Sequence, residues 1–170
     1  MILIVMGVSG SGKTTLAQAL VKLTGWQFAE GDDYHSAQNR QKMASGIPLT
    51  DEDRAPWLAT LHALLAGWHE RGENGVLTCS ALKQVYRDTL VSSLPTGAYR
   101  FVLMEAPKDV IAHRMQARSG HFMPSTLLDS QLATLEPPAD ALHVSAQQSP
   151  EMAARQVLGA LGAATFEHTS

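Results

Sequence analysis

Short apolar runs alternate along this chain with stretches whose apolar residues recur at helical spacing. Strands are predicted at the apolar runs 2–6, 26–29, 76–80, 100–105 and 142–145. Helices are predicted over 16–23, 37–45, 81–90, 109–118, 127–135 and 150–161. A further helix is predicted between the second and third strands, with Pro56 in its first turn. This alternation predicts an α/β fold, with a five-stranded parallel sheet and helices on both faces.

The first strand leads into a phosphate-binding loop. The sequence GVSGSGKTT at 7–15 fits G-x-x-x-x-G-K-[ST] at every defined position, and a predicted helix follows it. The predicted ATP-binding residues in this loop are Gly7, Ser9, Gly10, Ser11, Gly12, Lys13, Thr14 and Thr15. Lys13 can neutralise the outer phosphates, and the Thr14 hydroxyl can ligate Mg²⁺. Strand, glycine-rich loop and helix in this order indicate a P-loop NTPase fold that binds a nucleoside triphosphate, most simply ATP.

A carboxylate follows the second predicted strand. Ligands of a parallel α/β sheet bind at the carboxyl ends of its strands, so Asp32 is expected opposite the phosphate loop. There it can accept the proton of an attacking hydroxyl. The alternative is a helix N-cap, which Asp also favours. Asp33 competes for the same role, and the sequence does not separate the two.

Two pairs of cationic residues lie at helical i,i+4 spacing. Lys83 and Arg87 share one face after the third strand, where they could bind an anionic substrate or instead form a solvated, ion-paired surface. Arg114 and Arg118 precede the glycine-containing loop 120–124, which is expected to be mobile. The second pair predicts a lid over 114–124 that closes over ATP and stabilises the transferring phosphoryl group, with a solvated helix end as the alternative.

Composition narrows the class of protein. The 170 residues suit a single domain, and 45% hydrophobic and 17% charged residues are ordinary for a globular protein. A net charge of −3 gives no basic field for nucleic acid, and no stretch has the length of a membrane span. Cys79 is the only cysteine, which fits a reducing cytoplasm and leaves zinc without a ligand cluster. We therefore expect a cytoplasmic protein with no nucleic-acid or membrane partner.

Two classes of nucleotide-dependent protein are not indicated. Motor, transport and AAA-type ATPases have an apolar strand that ends in Asp-Glu, which holds Mg²⁺ and polarises water, and no predicted strand here ends in that pair. An Asn-Lys-x-Asp motif for reading guanine is also absent from the sequence. The polar residues after the strands favour a kinase over both classes.

Beyond the phosphate loop, three further blocks resemble the signatures of the small P-loop gluconokinases. The first comprises 31–35, Asn39, 42–43, 46–49, 51–54 and 56–58, the second 79–83 and 86–88, and the third 120–124, 127–128, 130–131 and 135–136. With the phosphate loop they extend from residue 7 to about 138, in order and at plausible spacing. Ser36 departs from the proline that often follows the histidine in this family, which should alter a turn and leave the chemistry intact.

The resemblance implies transfer of the ATP γ-phosphoryl group to the 6-hydroxyl of D-gluconate, with Mg²⁺, on a fold similar to shikimate kinase and nucleoside monophosphate kinases. The candidate catalytic residues are Lys13, Asp32 and Arg118. The candidate acceptor-binding residues are Asp32, His35, Arg54, Lys83, Arg87 and His121. A polyhydroxy acid needs acceptors for its hydroxyls and cations for its carboxylate, and this set supplies both.

Two other functions stay open at this point. One is a related kinase that acts on shikimate, a nucleotide or another sugar acid, and the other is an ATP-binding regulator without activity. Proteins of the gluconokinase family are commonly dimers, so a homodimer is also left open by the resemblance.

Overall fold

The computed structural model describes residues 1–117 and 125–167. The strands in these residues are β1 (Ile2–Met6), β2 (Gln27–Glu30), β3 (Gly75–Thr78), β4 (Tyr99–Glu105) and β5 (Leu142–Ser145). The α-helices are α1 (Lys13–Thr24), α2 (Ala37–Ala44), α3 (Asp51–Glu70), α4 (Gln84–Val91), α5 (Lys108–Ala117), α6 (Ser125–Thr134) and α7 (Pro150–Glu167). A 3₁₀ helix, Gly31–Tyr34, follows β2 directly.

The five strands form one sheet in the order β2-β3-β1-β4-β5, and every neighbouring pair is parallel. All five residues of β1 are buried, because the strand pairs with β3 on one side and β4 on the other. Parallel pairing brings the carboxyl ends of the strands to one edge of the sheet. The predicted α/β fold with a five-stranded parallel sheet is confirmed.

Helices cover both faces of the sheet. They are needed on both, because successive side chains of each strand point to opposite faces and the apolar ones must be buried. On one face Ile2, Ile4 and Met6 pack in a cluster with the buried side chains of α3 and α4. On the other face Leu3 and Val5 pack with those of α1 and α7. None of the helices in the described part of the chain is long and apolar enough to cross a membrane.

Helix α3 begins earlier than the sequence pattern indicated. The prediction put Pro56 in the first turn, whereas the helix begins at Asp51 and Pro56 lies inside it. The Thr50 side chain accepts a hydrogen bond from the Asp53 amide, and the Asp53 carboxylate accepts one from the Thr50 amide. This capping box determines where the helix begins, and it indicates the first residue of the helix better than Pro56 does.

The segment between β3 and α4 is irregular over a longer stretch than predicted. Strand β3 ends at Thr78 and α4 begins at Gln84, where the pattern predicted strand to residue 80 and helix from residue 81. Ala81 has a φ of 48°, which a non-glycine residue rarely adopts. The segment 79–83 thus leaves the sheet as a loop. We call it the acceptor loop, because three of its residues line the cavity in which the predicted acceptor-binding residues Asp32, His35 and Arg54 also lie.

Gly31 permits the closest main-chain approach between β2 and β3. Its amide donates to the Thr78 hydroxyl at 3.3 Å, and a Cβ on Gly31 would lie 2.2 Å from the Thr78 carbonyl oxygen. A contact of that length with main chain cannot be relieved by rotating a side chain. Glycine is therefore required at the position that leads from β2 into the 3₁₀ helix.

Substituting Gly31→Ala should destabilise the protein by about 2 kcal/mol or more, because the ends of β2 and β3 would have to separate. Urea unfolding followed by circular dichroism measures this change. Gly159→Ala is the matched control, since a Cβ there has no neighbour within 4 Å and the residue lies in helix α7. The control should be neutral or stabilising by up to about 1 kcal/mol. Equal stability of the two variants would contradict the close approach.

Candidate active site

The phosphate loop uses its glycines to reach conformations that other residues avoid. Gly10 and Gly12 have φ values of 79° and 95°. Gly12 is the N-cap of α1 and has no side chain to cap the helix, so the first amides of α1 stay available to an anion. The loop therefore presents main-chain donors and the positive end of a helix dipole at the same place.

Lys13 extends back across this loop. Its Nζ donates hydrogen bonds to the carbonyl oxygens of Gly7 and Val8, each at 3.0 Å. These bonds hold the ammonium over the loop, where the outer phosphates of a bound nucleotide are expected. The role of Lys13 toward the phosphates of ATP stays a prediction.

A groove lies on one side of the phosphate loop. It is lined by Gly10, Gly12, Thr15, Leu16, Met104, Arg114, Ser145, Ala146, Gln148, Pro150 and Ala153. Arg114 reaches it from α5 and donates to the Ala146 carbonyl oxygen at 2.6 Å. The groove joins the phosphate loop to the ends of β4 and β5, and we call it the nucleotide groove.

Glu30, which was not predicted as a site residue, connects the ends of β2 and β3 to the phosphate loop. Its carboxylate accepts a hydrogen bond from the Thr14 hydroxyl at 2.7 Å and another from the Thr78 hydroxyl at 2.6 Å. Thr14 follows β1 in the phosphate loop, and Thr78 is the last residue of β3. In the sequence Glu30 is simply the polar residue at the end of an apolar strand. A solvated residue would also lie there, so the pattern did not indicate its contacts.

A second cavity lies on the other side of the phosphate loop, and we call it the acceptor cavity. It is lined by Ser9, Asp32, His35, Met43, Ile47, Pro48, Leu49, Arg54, Trp57, Ser80, Ala81, Leu82, Tyr86, Leu127, Ser130, Gln131 and Thr134. Three predicted acceptor-binding residues, Asp32, His35 and Arg54, are brought together here. Of the two neighbouring aspartates, Asp32 lines this cavity and Asp33 does not.

His35 is held rigidly in the wall of the acceptor cavity. Its ring stacks on Trp57 with 4.0 Å between centroids and 15° between planes. Its Nδ1 lies 3.4 Å from the Asn39 amide nitrogen, and its Nε2 lies 4.0 Å from an Asp32 oxygen. Burial lowers the pKa of His35, although the nearby Asp32 opposes the shift. The imidazole is therefore neutral at pH 7 and directs one ring nitrogen toward Asp32.

Arg54 and Lys83 approach the ring of Tyr86 at the border of the acceptor cavity, which we call the rim. Arg54 and Tyr86 line the cavity, and Lys83 does not. The Arg54 guanidinium donates to the Tyr86 hydroxyl at 3.0 Å. The two cations lie 5.3 and 5.6 Å from the centre of the tyrosine ring. Asp51 accepts a hydrogen bond from the Tyr86 hydroxyl and lies 3.8 Å from Arg54 and 3.7 Å from Lys83.

Asp51 is a carboxylate already placed among cations. The hydrogen bond from Tyr86, with Lys83 and Arg54 close by, lowers the pKa of Asp51. Its side chain is 67% exposed, so solvent screens these interactions. The cluster shows that this rim can bind a carboxylate from two cations and a phenol.

Arg87 does not face the acceptor cavity, which corrects its prediction as an acceptor-binding residue. It is 1% exposed, and its guanidinium donates to the carbonyl oxygens of Ala81, Leu82 and Glu136 at 2.7, 3.2 and 2.7 Å. It also donates to Gln84 Oε1 at 3.0 Å, so its partners are carbonyl and amide oxygens, whereas the alternative prediction paired it with a carboxylate. Arg87 thus provides donors to main-chain oxygens of the irregular acceptor loop and of the segment after α6.

Two candidate residues and most of the predicted lid cannot be placed. Arg118 and His121 lie outside the described residues, as do the other positions of 118–124. Arg114, at the start of the predicted lid, lies in α5. The roles of Arg118 and His121 and the closing of a lid stay predictions.

The described residues contain neither a preformed metal site nor a reactive thiol. Within 1–117 and 125–167, no group of three or more His, Cys, Asp or Glu side chains could hold a metal ion by itself. Burial raises the pKa of Cys79 to about 12, so the thiol is protonated and unreactive in the folded protein. The oxygen ligands near the phosphate loop are hydroxyl and carboxylate groups, which suit Mg²⁺ bound jointly with a nucleotide.

Comparison with protein families supports the reading of the phosphate loop. The family model of the AAA domain matches residues 2–138. The sequence pattern did not indicate AAA-type ATPases, because no predicted strand ends in their Asp-Glu pair. The family model nevertheless matches, since it covers residues 2–138 and does not depend on that pair alone.

Relatives and solved structures are more specific. A gluconokinase of Gluconobacter oxydans is 48% identical over 160 residues, which cover 92% of this chain and 88% of that protein. The crystal structure of a gluconokinase from Sinorhizobium meliloti superposes with a TM-score of 0.87 at 42% identity, covering 99% and 97% of the two chains. Shikimate kinase from Aquifex aeolicus, at 14% identity and a TM-score of 0.58 over 98% and 99% of the chains, shares the fold.

Replacing Arg87 by methionine should destabilise the protein by about 2–4 kcal/mol, since three buried carbonyl oxygens would lose their charged donor. Arg87→Lys should recover little, because an ammonium cannot reproduce the guanidinium fork. Arg155→Met is the control: Arg155 makes an exposed i,i+4 pair with Glu151, and its loss should cost about 0.5 kcal/mol or less. Urea denaturation measures all three, and similar midpoints for Arg87→Met and Arg155→Met would contradict the structural role.

Proposed function

We propose that this chain, a member of the AAA domain family and of the gluconokinase family, transfers the γ-phosphoryl group of ATP to the 6-hydroxyl of D-gluconate. The observation that carries the proposal is the position of the phosphate loop between two sites. The nucleotide groove lies on one side of it, and the acceptor cavity, with Asp32 and a cationic rim, lies on the other. The products are ADP and 6-phosphogluconate.

ATP would bind with its phosphates against the phosphate loop and its nucleoside in the nucleotide groove. The first amides of α1 and the glycine-rich main chain would donate to the phosphates. Lys13 would exchange its bonds to the Gly7 and Val8 carbonyls for the outer phosphates, where its charge offsets the charge that develops during transfer.

Mg²⁺ fits the residues that surround Thr14. Mg²⁺ prefers oxygen ligands and is commonly held by one or two protein groups together with phosphates and water. The Thr14 hydroxyl and the Glu30 carboxylate, 2.7 Å apart, are such groups. When bound with ATP, the ion would neutralise negative charge on the β- and γ-phosphates. Glu30 would then orient Thr14 and hold part of the hydration shell.

Asp32 would accept the proton of the attacking hydroxyl. It lines the acceptor cavity together with Ser9 of the phosphate loop, so an acceptor there lies between base and phosphates. The gluconate 6-oxygen forms a bond to the γ-phosphorus, the bond to the ADP oxygen breaks, and the hydroxyl proton moves to Asp32. The neutral ring of His35, held by Trp57, can bind a substrate hydroxyl beside that carboxylate.

The carboxylate of gluconate would bind to Arg54 and Lys83. These cations and the Tyr86 hydroxyl already surround Asp51, whose carboxylate shows the type of group they accept. An open-chain acid bound at this rim can extend its 6-hydroxyl along the cavity toward the phosphate loop. Selectivity for an acid over a neutral polyol then follows from charge.

Gluconate should exceed sorbitol in kcat/KM by about 30- to 150-fold, because only gluconate offers a carboxylate to Arg54 and Lys83, and a charge-assisted hydrogen bond contributes about 2–3 kcal/mol. The pairing of these cations with Asp51, whose side chain is 67% exposed, is screened by solvent and can yield to the substrate. A coupled ADP-release assay with Mg²⁺-ATP measures both acceptors. Arg54→Met and Lys83→Met should close most of the gap by weakening gluconate, whereas Arg155→Met should leave it unchanged.

The same assay separates the other functions. Equal use of sorbitol and gluconate would overturn the acid-binding rim. Turnover with shikimate or a nucleotide in place of gluconate would indicate a related kinase. ATP binding without turnover on any of these acceptors would indicate a regulator.

Asp32→Asn should lower kcat by about 10²- to 10⁴-fold while ATP still binds, since the amide keeps the shape of the side chain but cannot accept the proton. Turnover is measured with gluconate, and ATP affinity by calorimetry. Asp33→Asn is the control and should keep most of its activity, because Asp33 lies outside the cavity lining. Full activity of Asp32→Asn with loss in Asp33→Asn would assign the base to Asp33.

A further inference from the structure

Ser9 is the phosphate-loop residue that faces the acceptor. It lines the acceptor cavity, whereas Gly10 and Gly12 line the nucleotide groove. Ser9 is therefore the part of the phosphate loop that borders the acceptor cavity, and a phosphoryl group moving between the two proposed sites would pass beside it.

Gln131 of helix α6 holds Ser9 by two hydrogen bonds. Its Oε1 accepts from the Ser9 amide at 2.7 Å, and its Nε2 donates to the Ser9 hydroxyl at 3.1 Å. One carboxamide thus fixes both the main chain and the side chain of a residue 122 positions away. Gln131 also lines the acceptor cavity, so the contact lies at the junction of the two sites.

The helix that carries Gln131 is itself anchored. Leu128 is buried in a cluster with Val8 of the phosphate loop and Leu82 of the acceptor loop. At the end of the helix the Glu136 amide donates to the Leu82 carbonyl oxygen at 2.8 Å. Because α6 also supplies part of the acceptor-cavity wall, the Gln131–Ser9 contact ties that wall to the phosphate loop.

We propose that Gln131 is a positioning residue that holds Ser9, and with it the acceptor side of the phosphate loop, in register with the acceptor cavity. The inference rests on the proposed phosphoryl transfer. Transfer requires the attacking oxygen and the phosphorus to approach in line, and a displacement of about 1 Å can lower the rate about 100-fold. Loss of the two bonds should therefore affect the chemical step more than the binding of either substrate.

The test is Gln131→Met, which keeps the length of the side chain and removes both hydrogen-bonding groups. In the free protein, hydrogen exchange of the Ser9 amide, followed by NMR, should become about tenfold faster or more. In the assay with gluconate, kcat should fall about tenfold or more, while the KM values for ATP and gluconate change less than about threefold. Gln18→Met, the same change at an exposed position of α1, should leave exchange and turnover unchanged.

Ser9→Ala separates the two bonds. It removes only the hydroxyl partner, so Ser9→Ala should lower kcat less than Gln131→Met and leave the amide at residue 9 protected. The double variant should be no slower than Gln131→Met alone, because the hydroxyl acts only through Gln131.

Three results would overturn the proposal: unchanged exchange of the Ser9 amide in Gln131→Met, unchanged kcat despite faster exchange, or a loss confined to KM. Failure of the proposed function is distinct from these. It would appear as wild-type protein that does not release ADP with gluconate, whereas the amide exchange tests the Gln131–Ser9 contact in the absence of any substrate.

Discussion

The hydrogen bonds of the Glu30 carboxylate hold the centre of this active site together. One oxygen takes the Thr14 hydroxyl and the other the Thr78 hydroxyl, so a single side chain joins the ends of β2, β3 and the loop after β1. Gly31, the next residue, permits the main chains of β2 and β3 to approach there. The position of Asp32 relative to the phosphate loop depends on this junction, because Asp32 follows Glu30 by two residues and Thr14 belongs to the phosphate loop.

The acceptor site depends on a second constraint, which is the pairing of carbonyl groups in an irregular segment. In the irregular acceptor loop 79–83, Ala81 adopts a positive φ, and its carbonyl oxygen accepts a hydrogen bond from the Arg87 guanidinium. The buried Arg87 guanidinium also donates to the carbonyl oxygen of Glu136, which lies beyond the end of α6. A buried cation therefore supports the wall of the acceptor cavity and joins it to the segment that follows α6, the helix that holds Ser9.

The acceptor cavity brings a carboxylate, an imidazole and a cation together. Asp32, His35 and Arg54 all line it, and burial, with a smaller contribution from the charge of Arg54, lowers the pKa of His35. Lys83 approaches from outside the lining, where it shares the Tyr86 ring and Asp51 with Arg54. The proposed selectivity for an acid and the proposed proton transfer to Asp32 would therefore use neighbouring residues of one cavity.

The sequence by itself determined the local parts of this structure. The spacing of glycines, lysine and threonine in 7–15 encodes the phosphate loop, because its backbone conformation and hydrogen bonds involve neighbours along the chain. The five apolar runs likewise identified the five strands and the edge of the sheet where ligands bind. That edge singled out the pair Asp32 and Asp33 but did not separate the two. The resemblance to gluconokinases added the acceptor, which local patterns could not name.

Only the tertiary structure decided which polar residues contact each other across the fold. At a helical spacing of four, Lys83 and Arg87 looked equivalent, yet one lies at the acceptor rim and the other is buried against carbonyl oxygens. Gln131 gave no signal of its contact with Ser9, since 122 positions separate them. Glu30 looked like the end of a strand. In each case the role depends on burial and on partners distant in sequence, and these exist only once the sheet and its helices have packed.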